Sequence, residues 1–220
     1  MTERWVTFDC YGTLIDWMGG IREGIASVWP DADALALLAR YHAVEPEIQA
    51  GSGIPYRQVL ATGLARIGQE VGRVVPPGLE DTLGASLPGW PVFPEVPEAL
   101  RELRRRGWRL AILSNTDPDL LDASLRAIGV PVDVRVIASE IGSYKPAPGH
   151  WETFMLRTGV VPGRHVHVAA SLFHDVAPCS RLGIPCVWID RRGETSGLTR
   201  AARLTDLTAL PDTLDALVAP

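Results

Sequence analysis

The sequence predicts an α/β protein: a doubly wound parallel sheet with a helical cap inserted after its first strand. Three observations carry that expectation. From about residue 94 onward, strand and helix patterns alternate, as they do when helices connect parallel strands. Residues 17–92 instead show mainly helical periodicity, broken by Pro/Gly pairs. Polar clusters fall at the carboxyl ends of the expected strands, the edge where open α/β sheets bind ligands. The division that follows is a core of residues 1–16 and 93–220 and a helical cap of residues 17–92.

Taken in order, residues 5–9 are apolar or β-branched and end on a carboxylate, so they read as a buried strand leaving Asp9 at its carboxyl end. Gly12 then permits a tight turn. Helices are expected near 21–28, 34–41, 56–68 and 79–87, then at 97–106. Residues 108–114 read as a strand, and 119–128 as a helix with Pro118 suited to its first turn. Strands at 134–138, 165–170 and 185–190 alternate with helices at 149–158 and about 176–182. Residues 205–217 read as a closing helix or strand and helix.

Composition narrows the function classes. With 220 residues, 46% of them hydrophobic, the chain can bury a large core. Net charge is -5, and the one basic run, Arg104 to Arg106, falls on a solvated helix face, so nucleic acid is not an expected partner. No apolar run reaches the roughly 18 residues that span a bilayer. The chain enters a strand at once, with Glu3 where a signal peptide would carry cations, so a cytoplasmic protein away from membranes is expected. Cys10, Cys179 and Cys186 form neither a disulfide framework nor a zinc pattern.

Four clusters carry the chemistry. Asp9 reads as a nucleophile or as a turn cap. Ser114 and Asn115 end a strand ahead of a helix start, where a hydroxyl, an amide and backbone N–H groups suit an anion; the alternative is that Thr116 or Asp117 caps that helix. Lys145 lies between Tyr144 and Pro146 in a loop stiffened by prolines, which would hold its ammonium in place to anchor an anion and support the charge of Asp9. Asp175 follows Ser171, Leu172, Phe173 and His174 and reads as a helix cap or a partner of Lys145, whereas His165 and His167 read as residues of one strand face.

The order Asp9, Ser114, Lys145, Asp175 resembles the four motifs of the haloacid dehalogenase superfamily, from Val6 to about Arg192. The stretch Phe8 to Leu14, the pair Ser114 and Asn115, and Tyr144, Lys145 and Pro146 are most similar to the type II enzymes, which hydrolyse L-2-haloacids or haloacetates. The resemblance implies a Rossmann-like core with an inserted helical cap and a two-step reaction. In it Asp9 displaces halide, and water hydrolyses the resulting ester. It also implies Thr13 orienting Asp9, Ser114 and Asn115 holding the substrate carboxylate, Lys145 offsetting negative charge, and Asp175 aligning Lys145 or helping activate water. Arg40 would receive the halide, Tyr11 and Trp151 would form pocket walls, and a homodimer is carried over from other members.

Residue chemistry separates the branches of that superfamily. Its phosphatases carry an acid two residues after the nucleophile, where this chain has Tyr11, a weak acid at neutral pH. Asp175 is the one further carboxylate of the fourth cluster, which is lean for a hard cation, so a metal-free and cofactor-free reaction on a small anionic organic acid is expected. Where studied members carry a serine and an asparagine before the aspartate, this chain has Ala170 and Leu172, and His174, an added titratable group beside Asp175, is the residue expected to substitute as a base. The alternatives are a Mg²⁺-dependent phosphatase-like or phosphonatase-like hydrolase and a catalytically impaired binding protein.

Overall fold

The structure is a computed structural model that describes residues 3–50 and 53–219. Strand β1 (Arg4–Phe8) is buried at all five positions and pairs with β2 (Trp108–Ser114) on one side and β4 (His165–Ala169) on the other. With β3 (Val134–Ile137), β5 (Cys186–Ile189) and β6 (Ala202–Leu204) they form one parallel sheet in the order β3-β2-β1-β4-β5-β6. The chain builds outward from β1 in one direction, then returns to build in the other. That reversal opens a crevice at the carboxyl ends of β1, β2 and β4. Phe8 is in register with Ile112 and Val168, so Asp9, Ser114 and residue 170 emerge at the same edge.

Four helices follow β1: α1 (Trp17–Val28), α2 (Ala34–Gln49), α3 (Tyr56–Glu70) and α4 (Thr82–Ser86). Asp16 and Asp33 cap α1 and α2, accepting from Gly19 N and from Leu35 and Ala36 N. Expected at 34–41, α2 continues to Gln49 through Pro46, which forfeits one helical hydrogen bond without ending the helix. Glycine lets these helices close up: a Cβ on Gly63 would stand 2.6 Å from the Tyr41 ring, and one on Gly20 would stand 2.3 Å from Trp90.

The rest of the chain supplies α5 (Val96–Arg105), α6 (Pro118–Ile128), the short α7 (Ala138–Ile141), α8 (Gly149–Thr158), α9 (Ala177–Leu182) and α10 (Leu210–Leu217). A π-turn at Leu172–Val176 leads into α9. Alternation along the strands splits the core in two. Val6, Phe8, Leu110 and Ile112 face a cluster that runs on through Trp17, Tyr41 and Leu60 of the inserted helices. Trp5, Ala111 and Leu113 face the other way, against Trp151 and Phe154 of α8.

Asp117 does not cap its own helix. Its carboxylate accepts from Tyr56 N at 2.9 Å and Arg57 N at 3.0 Å, and so caps α3 from across the crevice. No helix among the described residues is long and apolar enough to cross a membrane.

Candidate active site

Asp9 leaves β1 into a turn in which Gly12 adopts φ 88°, a conformation that favours glycine. The turn brings Thr13 back under the strand end. There Thr13 Oγ1 donates to Asp9 Oδ2 at 2.8 Å and accepts from Ala170 N at 2.9 Å, tying β1 to the end of β4. The other Asp9 oxygen, Oδ1, accepts from Lys145 Nζ at 2.9 Å. Lys145 is 1% exposed and also donates to Asp175 Oδ1 at 2.7 Å. One ammonium therefore stands between two buried carboxylates.

Burial raises the Asp9 carboxyl above its ordinary value; Lys145 pulls it down and Asp175 pushes it further up. Burial would raise Asp175 too, but the Lys145 charge and the hydrogen bond from His167 hold it well below the usual carboxylate range. Lys145 keeps its proton: burial opposes the charge, and its two anionic partners outweigh burial. The site thus holds Asp175 as a fixed anion, Lys145 as a fixed cation, and Asp9 as the carboxylate with the weakest hold on its charge.

Behind Asp175 stands a relay that was not foreseen. His167 Nε2 is 3.0 Å from Asp175 Oδ1, and Thr7 Oγ1 lies 2.8 Å from His167 Nδ1 and 2.7 Å from His165 Nε2. One order of protons satisfies every contact: His165 donates to Thr7, Thr7 donates to His167, and His167 donates to Asp175. Burial pushes His165 down to about 3, so it is neutral. Two histidines two residues apart on β4, with Thr7 in register with His167 on β1, were the available signal.

The remaining anticipated residues divide between the cavity and other places. A cavity of about 510 Å³ is lined by Asp9, Tyr11, Ser114, Asn115, Lys145, His174 and Asp175. Ser114 Oγ is fully buried on its wall without a partner. Asn115 is already engaged: its amide donates to Gln49 Oε1 and to the Lys145 carbonyl, and its oxygen accepts from Lys145 N at 2.7 Å. It holds the lysine loop. Thr13 does not line the cavity; it holds Asp9. His174 Nδ1 lies 3.1 Å from Ser171 Oγ, its Nε2 is buried without a partner, and burial pushes the ring down to about 4. Tyr11 lies beside Ser124 at 3.1 Å and stacks on Tyr56, and burial pushes its hydroxyl up, which suits a wall and not an acid.

Two expectations are corrected. Arg40 points outward from α2, half-exposed and paired with Glu70 at 2.8 Å, because the inner face of that helix is set by Leu37, Leu38, Tyr41 and Val44. Trp151 is fully buried beneath the opposite face of the sheet, edge-on to His167, and does not reach the cavity. In their stead the cavity wall carries His42, Glu45, Gln49 and Tyr56 from the inserted helices and Arg191 and Arg192 after β5. Arg191 is committed to Glu95 and the Thr13 carbonyl and lies over Phe93, and Arg192 pairs with Glu194.

A family model for haloacid dehalogenase-like hydrolases matches residues 3–183. The chain belongs to that family. It is a hydrolase with the α/β fold of solved dehalogenases. Among curated relatives it is similar to (S)-2-haloacid dehalogenase 4A of Burkholderia cepacia, 27% identical over 199 residues, which are 86% of this chain and 84% of the relative. It is also similar to phosphoserine phosphatase of Thermus thermophilus, 30% identical over 175 residues, 76% of this chain and 70% of the relative. A solved L-2-haloacid dehalogenase shares the fold at a TM-score of 0.86 and 24% identity, covering 98% of this chain and all of the other.

For a divalent cation, Asp9 and Asp175 are the carboxylates at these strand ends, and Asp175 Oδ2 is buried without a partner. Lys145 Nζ lies within 2.9 Å of both Asp9 and Asp175 and pairs with one oxygen of each. No group of three or more His, Cys, Asp or Glu among the described residues is placed to hold a metal.

Proposed function

We propose that this family member is a hydrolytic dehalogenase of small 2-haloacids or haloacetates, working through an ester on Asp9 without a metal. The clamp on Asp9 carries the reading: Thr13 fixes one oxygen, Lys145 the other, and Tyr11 stands where an acid would serve a poorer leaving group. A halide leaves with the bonding electron pair and needs no proton. As Asp9 forms a bond to the substrate carbon, the carbon–halogen bond breaks. Water then adds to the Asp9 carbonyl carbon, the alkoxy oxygen leaves with a proton as a 2-hydroxy acid, and the carboxylate returns.

In this reading the Ser114 hydroxyl donates to the substrate carboxylate, and Lys145 offsets the charge that two carboxylates bring together. His174 takes the proton of the attacking water: the residue lines the cavity, its Nε2 is buried without a partner, and it is neutral at pH 7. The division into a core of 1–16 and 93–220 and a cap of 17–92 completes the proposal.

The likeness to a phosphoserine phosphatase favours one second reading, a metal-dependent phosphomonoester hydrolase. Halide release from fluoro-, chloro- and bromoacetate, with and without EDTA, alongside Asp9→Asn, separates the two. The dehalogenase reading expects release that is indifferent to chelator and absent in Asp9→Asn. Phosphate-ester turnover abolished by EDTA, with no halide released, overturns it. No halide release together with no adduct on Asp9 would point to a binding protein.

A further inference from the structure

Glu45 projects from α2 into the same cavity as Asp9, although only 6% of it is exposed. Its Oε1 accepts from Gln49 Nε2 at 2.8 Å and from Tyr56 OH at 3.1 Å, and that hydroxyl accepts in turn from Trp17 Nε1 at 3.0 Å. Gln49 Oε1 accepts from Asn115, which holds the lysine loop, so Glu45 is fixed relative to Lys145 through a chain of side-chain bonds. Two bonded neighbours, Gln49 and Tyr56, hold this carboxyl, and no cation is paired with it among the described residues. A buried carboxylate without a cation is costly, and it relieves that cost by keeping its proton.

We propose that Glu45 is a further substrate-binding residue, whose protonated carboxyl donates a hydrogen bond to the substrate carboxylate, so that binding takes up a proton. This inference rests on the haloacid reading above and adds a proton-linked selector to it. With Oε1 already accepting two bonds, Oε2 carries the proton. Ser114 Oγ, buried and without a partner on the same cavity, is the independent sign that the site holds donors waiting for an anion.

Burial, with the negative charge of Asp9 adding to it, lifts Glu45 to about 7. An entering anion raises it further. The other titratable groups around it are Tyr41 and His42 on α2, Tyr56 on α3, and Asp9 and Tyr144 from the core. Burial pushes all three tyrosines up and His42 down, so these four are neutral through the neutral range. Lys145 is paired with Asp9 and Asp175, and Arg192 with Glu194. Asp9 must lose its proton for turnover, whereas Glu45 must keep its own for binding. The two therefore govern opposite limbs of the pH profile.

The test follows kcat and KM for bromoacetate from pH 5.5 to 9 in wild type and Glu45→Gln, whose amide retains a donor. Above about pH 7 the wild-type KM should rise about tenfold per pH unit while kcat stays level, and the Glu45→Gln KM should stay flat. Because a substitution can disturb folding, a second measurement uses the wild type alone. Calorimetry of glycolate binding at pH 8, in two buffers of different ionisation enthalpy, should report uptake of close to one proton. An alkaline rise in KM that persists in Glu45→Gln, or glycolate binding without proton uptake, overturns the inference and leaves the dehalogenase reading standing. Absence of halide release by the wild type removes both.

Discussion

Replacing Lys145 with methionine removes the one cation between Asp9 and Asp175 and keeps most of the side-chain volume. Lys145 is 1% exposed and lies 2.9 Å and 2.7 Å from the two carboxylates. At an effective dielectric of about 20, a pair of unit charges about 4 Å apart is worth roughly 4 kcal/mol. Stranding buried charges in this way costs about 3–5 kcal/mol of stability. With a urea slope of about 2 kcal/mol per molar, the midpoint should fall by roughly 2 M. The same loss acts on catalysis. Asp9 already holds its charge weakly, and without Lys145 it takes up a proton at neutral pH. Roughly 4 kcal/mol corresponds to a drop in kcat/KM of about a thousandfold at pH 7, with partial recovery as pH rises, because the acid limb moves upward. Bromide release between pH 5.5 and 9 and urea unfolding by circular dichroism measure both effects. A Lys145→Met protein with pH 7 activity within threefold of wild type and an unchanged midpoint would refute the reasoning.

Other substitutions test the geometry piece by piece. Thr13→Val keeps the shape but removes the donor to Asp9 and the acceptor for Ala170 N, so kcat should fall about tenfold if the bond to Asp9 alone acts on the chemistry, at roughly 0.5–1.5 kcal/mol for one hydrogen bond; an unchanged kcat would count against the clamp. Arg40→Ala should leave kcat and KM within twofold, since its partner is Glu70 on the surface. A large loss there would restore it as the halide acceptor. Trp151→Phe should lower stability by about 1–2 kcal/mol while leaving KM for bromoacetate unchanged, as expected of a side chain packed behind the sheet. A selective rise in KM would place it in the pocket after all.

Residues that follow strands were legible because the signal is local. Asp9, Ser114 and Asp175 each come after an apolar, β-branched run, and in a parallel sheet such positions converge on one edge whatever the remaining topology. Asp117 was not legible as a cap for α3, because its bonds run to residues about 60 positions earlier in the chain and no local pattern encodes them. On α2 the face was available and was overlooked. Tyr41 is buried, so Glu45 and Gln49, four and eight residues on, share its side of the helix, while Arg40, one residue back, is turned about 100° away. Resemblance had pointed to Arg40, but helical phase turns it away from the cavity and brings Glu45 to it. Trp151 failed for a different reason: which face of the sheet α8 covers depends on how the chain crosses over, not on anything within residues 149–158.

Oxygen tracing tests the central claim most directly, because it asks whether Asp9 itself carries the substrate. With enzyme in excess over bromoacetate in heavy-oxygen water, one turnover should place label in the Asp9 carboxyl of the peptide that contains it, and the first glycolate formed should be unlabelled. Label in the glycolate with none in Asp9 would mean that water attacks the substrate directly, and the covalent account would be wrong.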